Sequence, residues 1–257
     1  MINSLQNSKV KYVRRLQADR RFRAREEAFV VEGTRWLTEL LTYPKPARHL
    51  FATADWLKNP QQASLLSDLG AVQPVSAEVM AAMSDTETPQ GILAVLDRVK
   101  RPFPPNPSLL LILDSIRDPG NLGTILRTAG AAGVAGVWLG PGCVDAYNPK
   151  VVRSSMGALL RLPIADGSWA EIGESVKGLA VYLAAADGEL VYTAVNWTHP
   201  SALIIGSEAS GAGQQARQLA QHQIAIPIKS HTESLNAAIA AGVILFEAVR
   251  QQATPPP

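Results

Sequence analysis

Three segments in the second half of the chain combine polar side chains that can act on a ligand with glycines that leave room for one. The first, residues 118–130, contains Asn121, Gly123 and Arg127. Its apolar residues recur at helical spacing and Asn121 follows a Pro-Gly turn, so the pattern predicts a helix with Asn121 as its N-cap. Gly123, Arg127 and Gly130 fall on a separate face, and an arginine on so bare a surface can reach a bound ligand. A capped helix with one solvated arginine explains the same local pattern equally well.

The second and third segments are loops that follow apolar runs. Residues 204–213 end in a glycine-rich loop around Glu208, and such glycines let a ligand approach the backbone closely. The loop has neither the dinucleotide glycine pattern nor a phosphate-binding lysine, so it is not a nucleotide-binding fingerprint. Residues 226–236 contain Ile-Pro-Ile and then Ser234, which can serve as the cap of the following helix. None of the three segments is decisive by itself.

The pattern of the elements that must position these segments predicts an α/β fold. Short apolar runs alternate with helix-like stretches, which is typical of a mostly parallel sheet covered on both faces. In that architecture ligands bind beyond the carboxyl ends of the strands. The last helix, ending near residue 250, is apolar nearly all round and must be buried or packed against another subunit. The predicted strands are residues 109–113, 134–139, 158–164, 179–184, 203–205 and 224–228.

A proline cluster divides the chain. Four prolines between residues 102 and 107 cannot continue a helix or a central strand, so we predict a stiff linker over residues 99–107. The linker separates an N-terminal domain, residues 1–98, from a second domain, residues 108–252. The elements predicted in the first domain are a strand at residues 29–33, a helix at 33–41 and a strand at 92–96.

The composition of the 257-residue chain excludes several classes of protein. Hydrophobic residues make up 47% and charged residues 18%, which is typical of a folded chain rather than a disordered one. The longest apolar run, residues 237–246, is far shorter than the roughly 18 residues of a membrane span. A single cysteine, Cys143, excludes an internal disulfide framework, and four scattered histidines argue against a metal site. We therefore predict no metal and a reducing, cytoplasmic location.

Charge is distributed unevenly, although the net charge is only +2. The first 25 residues contain eight basic side chains and a single acidic one, Asp19, whereas the rest of the chain is mildly acidic. Such a basic arm suggests a polyanionic partner. A solvated helix face would give the same pattern, and so would an Arg-rich organellar transit peptide. The transit peptide fits less well, because the arm runs directly into the strand predicted at residues 29–33.

In this order and spacing, the three segments resemble the motifs of the SpoU/TrmH branch of the SPOUT RNA methyltransferases. The likeness extends over residues 108–250, and residues 1–98 resemble the substrate-binding domain of larger members. The matching motifs in the second domain are Asn121-x-Gly123-x-x-x-Arg127, Ile205-Gly206-x-Glu208-x-x-Gly211, and Ile226-Pro227-Ile228 followed by Ser234-Leu235-Asn236. Those in the first domain are Phe29-Val30-Val31-Glu32-Gly33-x-Arg35 and Thr88-Pro89-Gln90-Gly91.

The resemblance implies an α/β fold whose mostly parallel C-terminal sheet contains a deep trefoil knot, beside a smaller N-terminal α/β RNA-binding domain. It also implies S-adenosylmethionine as cofactor, a homodimer formed through the knotted domain, and methylation of a ribose 2′-hydroxyl in RNA. Carried over by position, the cofactor-binding residues are Leu139, Gly140, Gly206, Ile226 and Leu235. The catalytic residues implied in the same way are Asn121, Arg127, Glu208, Ser234 and Asn236.

These side chains suit that reaction, which needs the hydroxyl oxygen in line with the methyl group and relieved of its proton. An arginine normally stays protonated, so our hypothesis is that Arg127 binds the adjacent phosphate and stabilises the developing alkoxide. Asn121, Ser234 and Asn236 would orient the loops and the ribose. Glu208 would fix Asn121 or the backbone of its own motif.

Basic residues in two places are predicted to contact RNA. Arg153 is one candidate, because it follows a loop rich in glycine and proline. The others lie on the basic arm, and they are Lys9, Lys11, Arg14, Arg15, Arg20 and Arg21.

The leading interpretation is an S-adenosylmethionine-dependent RNA 2′-O-ribose methyltransferase. Ribosomal RNA, of the large subunit in particular, is the favoured substrate, because the N-terminal domain resembles those of rRNA-modifying members. A tRNA methyltransferase is an alternative with the same chemistry. A non-catalytic RNA-binding or ribosome-assembly factor is an alternative from another class, although such a protein would not need all five catalytic-type residues. A third alternative is a nucleotide-dependent oxidoreductase on a doubly wound sheet. It fits less well, because this sequence lacks the phosphate-binding fingerprint of that class.

Overall fold

Helices and strands alternate along the chain in the computed structural model, which describes residues 1–41, 43, 45–64, 66, 69–208, 211–229 and 234–253. Contacts divide the chain into two units. Unit 1 consists of Met1–Val99 and Tyr147–Leu160, and unit 2 consists of Lys100–Ala146 and Arg161–Pro257. Across the described ranges, no helix is long and apolar enough to cross a membrane. Within the same ranges, no group of three or more His, Cys, Asp or Glu side chains could hold a metal ion.

The element boundaries are as follows. The helices are α1 (Ser8–Ala18), α2 (Arg20–Glu26), α3 (Thr34–Leu40), α4 (Ala54–Leu57), α5 (Pro60–Ser64), α6 (Ala77–Met83), α7 (Pro119–Ala131), α8 (Pro149–Ser154), α9 (Ala158–Arg161), α10 (Trp169–Ser175), α11 (Gln214–Leu219) and α12 (Ala237–Ala253), with a 3-10 turn at Tyr192–Ala194. The strands are β1 (Ala28–Glu32), β2 (His49–Thr53), β3 (Val72–Val75), β4 (Ile92–Asp97), β5 (Leu109–Leu113), β6 (Gly136–Leu139), β7 (Ile164–Asp166), β8 (Ala180–Ala184), β9 (Leu190–Val191), β10 (Ser201–Ile205) and β11 (His222–Ala225).

Unit 1 is built on a four-stranded sheet in the order β1-β4-β2-β3. β4 pairs antiparallel with both β1 and β2, and β2 pairs parallel with β3. The strand predicted at residues 92–96 is confirmed as β4, and the helix predicted at 33–41 as α3. α1 packs its buried Val10, Val13 and Leu16 against this core, together with side chains of α6. This spacing leaves the basic side chains of α1 on the solvent face.

Residues 147–160 pack within unit 1, although sequence analysis assigned them to the second domain. α8 lies against β1. The rings of Phe29 and Tyr147 have centroids 4.9 Å apart, and the guanidinium of Arg98 lies 4.0 Å from the centroid of the Tyr147 ring. These contacts join segments that are far apart in sequence, which is why local pattern could not reveal them.

Unit 2 contains a seven-stranded sheet in the order β7-β6-β5-β10-β8-β11-β9, and every pair in it is parallel. β5 and β10 lie at its centre, and every residue of both strands is buried. That burial explains their unbroken apolar sequences. The predicted mostly parallel α/β sheet is confirmed. The strands predicted at residues 109–113, 134–139, 179–184, 203–205 and 224–228 correspond to β5, β6, β8, β10 and β11.

The strand predicted over residues 158–164 is wrong in its first half. Residues 158–161 form the helical turn α9, and β7 begins only at Ile164. Gly157, with φ of +89°, turns the chain immediately before this helix. The segment Ala-Leu-Leu-Arg consists of good helix formers. A short apolar run of this kind does not distinguish a buried helix from a buried strand.

Candidate active site

A narrow loop follows β10 at the carboxyl edge of the unit 2 sheet. Backbone groups of Ser207 and Gly211 close it with hydrogen bonds of 3.0 and 2.8 Å. A Cβ on Gly206 would lie 2.5 Å from the backbone nitrogen of Ala212, so any larger residue there would force the loop open. The turn at Gly206 therefore sets the position of Glu208 two residues later.

A buried carboxylate holds the far end of this loop. Asp114 directly follows β5, is only 4% exposed, and accepts a hydrogen bond of 2.6 Å from the backbone N–H of Gly213. Oγ of Ser115 donates to the same carboxylate at 3.2 Å. Sequence analysis missed Asp114, because its partner lies 99 residues further along the chain. Asp114 thus couples the end of β5 to the loop after β10.

Glu208 brings the three sequence motifs together. Its Oε1 accepts hydrogen bonds from Nδ2 of Asn121 at 2.8 Å, from Nδ2 of Asn236, and from the backbone N–H of Ala237 at 3.0 Å. Nδ2 of Asn236 also donates to Oδ1 of Asn121 at 3.1 Å. The carboxylate lies at the N-terminus of α12, where the helix dipole favours a negative charge. Glu208 therefore orients both amide side chains at once.

The two helix caps differ from the sequence prediction. Asp118, rather than Asn121, caps α7, because its Oδ1 accepts the backbone N–H of Asn121 at 2.8 Å. Asn236, rather than Ser234, has the capping role at α12, since its Oδ1 accepts the N–H groups of Ala238 at 2.9 Å and of residue 239 at 3.3 Å. The side chain of Asn121 is consequently available to bond Glu208.

A cavity of about 270 Å³ opens beside this cluster, near the lower end of the roughly 300–1,000 Å³ typical of small-molecule sites. Three of the five predicted cofactor residues line it, and so do two of the predicted catalytic residues. The three are Gly206, Ile226 and Leu235, and the two are Glu208 and Ser234.

Leu139 and Gly140 are not among the described residues that line this cavity, so their role in cofactor binding stays a prediction. They lie at the end of β6, and β5 separates that strand from β10. Gly140 instead packs against β5, where a Cβ would come within 3.0 Å of the carbonyl oxygen of Leu113. A close approach between neighbouring strands accounts for the glycine at this position.

Two parts of the cavity wall were missed by sequence analysis. The loop after β8 contributes Ala184–Asp187, and α11 contributes Arg217. The first is held in place by Gly188, whose Cβ would lie 2.5 Å from the carbonyl carbon of Ile224. Apolar residues before a glycine gave no pattern that could have identified the loop. A lone arginine in a short polar helix was equally uninformative.

Arg127 is exposed on α7 and is not part of the cavity lining. α7 packs against α12, where Gly242 approaches Thr128. The predicted open face is only partly right, because Gly123 is buried whereas Gly130 is exposed. The structure therefore presents Arg127 to solvent without a glycine-lined surface around it.

The predicted RNA-contact residues of the arm lie on α1 and α2 and differ in their surroundings. Arg14, Arg20 and Arg21 are exposed, as are Lys11 and Arg15. The guanidinium of Arg15 lies 4.3 Å from the centroid of the Phe22 ring, and that of Arg25 lies 4.8 Å from it. Nζ of Lys9 donates to Oε1 of Gln73 at 2.9 Å. Arg153, the candidate outside the arm, forms an ion pair with Asp85.

Cys143 is a structural residue. Burial raises the pKa of its thiol to about 11, and the thiol donates to the carbonyl oxygen of Leu113 at 3.3 Å. It therefore stays a neutral thiol near pH 7 and is a poor nucleophile.

Comparison with known proteins identifies two parts of the chain. A model described as the SpoU rRNA Methylase family matches residues 108–246. A model described as the MRM3-like substrate binding domain matches residues 7–94.

Two relatives match over almost the whole chain. An uncharacterized tRNA/rRNA methyltransferase of Synechocystis sp. is 40% identical over 258 residues, which cover 98% of this chain and 94% of that protein. The 23S rRNA (guanosine(2553)-2′-O)-methyltransferase RlmP of Bacillus subtilis is 30% identical over 250 residues, covering 95% and 97%.

A solved structure shares the fold. The SpoU methyltransferase AviRb from Streptomyces viridochromogenes, in complex with the cofactor AdoMet, superposes with a TM-score of 0.87 at 27% identity, covering 96% of this chain and 98% of that one. With a family model that spans more than half of the chain and relatives that span nearly all of it, this chain belongs to the SpoU rRNA methylase family.

Proposed function

We propose that the protein is an S-adenosylmethionine-dependent RNA methyltransferase that methylates a ribose 2′-hydroxyl, with ribosomal RNA as its substrate. The observation that carries this proposal is the Glu208 cluster, because it joins Asn121 and Asn236 at the rim of a cavity. The relatives named above support the chemistry, and RlmP supports the choice of 23S rRNA. The N-terminal match to a substrate binding domain supports an RNA partner.

The cavity fits the cofactor in its chemistry. Isoleucines and alanines form much of its wall, which suits the adenine ring, and Gly206 lies in the same wall. We assign cofactor binding to Gly206, Ile226 and Leu235, together with the missed loop 184–187. When bound there, S-adenosylmethionine supplies an activated methyl group.

The residues beside the cavity have separate tasks in this proposal. Asn121 and Asn236, held by Glu208, position the ribose, while Ser234 contributes a hydroxyl group at the cavity wall. Arg127 binds the phosphate next to the target nucleotide and stabilises charge on the 2′-oxygen. Because Arg127 is exposed on α7, a polynucleotide can reach it. Most of the rate gain then comes from positioning rather than from a free base.

The same proposal includes a knotted fold, a homodimer and action in the cytoplasm. Support for the knot is that β10, formed late in the chain, lies between β5 and β8. Support for the dimer is that α12 exposes Ile239 and Phe246 to 55% and 50%. Support for a reducing compartment is the single cysteine, Cys143, which is buried as a free thiol.

Transfer of a labelled methyl group to unmodified RNA tests the proposal. We expect label in 23S rRNA, in a linkage that resists alkaline cleavage because a methylated 2′-oxygen cannot attack the adjacent phosphate. Arg127→Ala, the matched control, should lose nearly all of that transfer.

Two other outcomes would contradict parts of the proposal. Label found only in tRNA would keep the chemistry and overturn the substrate. A non-catalytic RNA-binding factor would be indicated by a different result. The protein would bind RNA tightly but would bind no cofactor, and it would transfer no methyl group either to naked rRNA or to precursor ribosomal particles.

A further inference from the structure

Arg217 projects from the short helix α11 into the wall of the cavity. Among the described residues that line it, Arg217 is the one basic side chain. The other charged groups in that lining are the carboxylates of Asp187 and Glu208. A guanidinium in the wall of a cavity can bind an anion through charge-assisted hydrogen bonds of fixed geometry.

The guanidinium of Arg217 is held in place by neutral partners. Its Nε donates to the carbonyl oxygen of Ala212 at 3.2 Å, and its Nη1 donates to Oε1 of Gln223 at 3.2 Å. Its Nη2 lies 3.7 Å from where a Cβ of Gly211 would be, so the absence of a side chain there leaves room beside it. Two fixed hydrogen bonds restrict the rotamers, and less entropy is lost when a ligand binds.

The charge of Arg217 is not neutralised by a carboxylate within the described chain, because both of its hydrogen-bond partners are uncharged. Glu208, the nearest acidic residue in the same loop, directs its Oε1 to Asn121, Asn236 and Ala237 instead. Among the described residues, neither Asp187 nor Glu208 forms an ion pair with Arg217, although both line the same cavity.

We propose that Arg217 binds the α-carboxylate of the cofactor's methionine part. This inference rests on the proposed function, which assigns the cavity to S-adenosylmethionine. At neutral pH that molecule carries two cationic groups, a sulfonium and an ammonium. Its carboxylate is its sole anionic group. Arg217 therefore distinguishes cofactors with an amino-acid tail from adenosine thioethers that lack one.

A pair of ligands tests this assignment by calorimetric titration. S-Adenosylhomocysteine has the carboxylate, and 5′-methylthioadenosine has the adenosine thioether without it. In Arg217→Gln, we expect the Kd of S-adenosylhomocysteine to rise about 10–100-fold, as for loss of a charged hydrogen bond. The Kd of 5′-methylthioadenosine should change less than about twofold, and glutamine retains an amide that can still bond Ala212.

Controls separate a binding role from a structural one. Both ligands are titrated into the same preparation, so partial unfolding lowers the stoichiometry for both and leaves the ratio of their Kd values unchanged. Lys177→Gln, which removes an exposed cation of the same unit, should leave both Kd values unaltered. Gln223→Leu removes the partner of Nη1 and should weaken S-adenosylhomocysteine selectively, but by less than Arg217→Gln.

The contrary results are distinct. Equal weakening of both ligands in Arg217→Gln would mean that Arg217 only supports the loop, and unchanged binding of both would mean that it meets no carboxylate. Either result overturns the assignment while leaving the cofactor site intact. If Gly206→Val, which forces open the loop that forms part of the cavity wall, leaves wild-type affinity for both ligands, the site itself has been misplaced and the proposed function loses its cofactor pocket.

Discussion

At the scale of single residues, Glu208 accepts several hydrogen bonds that fix the site. One of its oxygens accepts from two asparagine side chains and from the first backbone N–H of α12. Hydrogen bonds to a charged acceptor are worth about 1.5–3 kcal/mol each, roughly twice those to a neutral one. The arrangement therefore depends on the carboxylate being ionised.

Glu208→Gln tests this dependence. Glutamine keeps the shape, but its amide oxygen is a weaker acceptor for three donors, so Asn121 and Asn236 lose their fixed orientation. We expect kcat to fall about 10–100-fold while the affinity for RNA is unchanged, as measured by steady-state methyl transfer and by filter binding.

Glu174→Gln is the matched control, because that carboxylate is exposed and pairs only with Lys177 on the surface. It should have wild-type kinetics. A Glu208→Gln enzyme with undiminished kcat would remove Glu208 from the positioning role.

Sequence analysis identified the residues of this cluster but not their mutual arrangement. The resemblance to the family's motifs predicted Asn121, Gly206 and Glu208, because each motif is local. Asp114 and Arg217 were missed, since what makes them informative is a partner far away in sequence or a cavity that forms only on folding.

At the scale of elements, helices α1 and α2 divide the basic arm into two kinds of residue. Arg23 is 3% exposed, and its Nη1 donates to the carbonyl oxygens of Leu16 at 2.7 Å and Gln17 at 3.0 Å. It joins the two helices. Asp19 caps α2, and the backbone N–H of Phe22 is the main cause that lowers the pKa of its carboxyl group.

The exposed arginines of the arm are predicted to make non-specific phosphate contacts. Changing Arg14, Arg15, Arg20 and Arg21 together to Gln should weaken RNA binding. The slope of log Kobs against log salt should become shallower by about 3, since each phosphate contact contributes about 0.7–0.9.

Two controls accompany the salt titration. Lys58→Gln removes an exposed cation that already pairs with Asp55, and it should leave the slope unchanged. Arg23→Gln should lower the melting temperature instead, because it leaves the carbonyl groups of Leu16 and Gln17 without this donor. A wild-type slope in the fourfold variant would exclude the arm from RNA binding.

The boundaries of a central, fully buried strand could be predicted from sequence. The boundaries of a short helix could not. β5 was predicted to the residue because all five of its side chains are buried. α9 was not, because four apolar or helix-forming residues after a glycine carry no periodicity.

At the scale of the whole molecule, α12 carries an exposed apolar face. Ile239 and Phe246 are seven residues apart and share one exposed helix face, so both side chains can pack against a second subunit. We predict that Phe246→Lys converts a dimer into a monomer, as measured by light scattering during gel filtration.

The control for this prediction is Val191→Lys on β9, whose two residues are both apolar and exposed, Val191 to 41%. That variant should remain dimeric. A monomeric Val191→Lys with a dimeric Phe246→Lys would move the interface from α12 to the edge strand.

Fold class was predictable from sequence because unit 2 repeats one simple pattern of buried strand and helix. The membership of residues 147–160 in unit 1 was not, because it depends on contacts between the side chains of Tyr147, Phe29 and Arg98 that no local pattern encodes.

That membership has a consequence for how the chain is made. During synthesis the N-terminal unit cannot complete its packing when the linker leaves the ribosome, since α8 and Tyr147 are still to come. Until then Phe29, fully buried in the finished protein, lacks one of its neighbours. The nascent chain must carry an incomplete first domain while the first two strands of the second are translated, so the two units are expected to mature together rather than in succession.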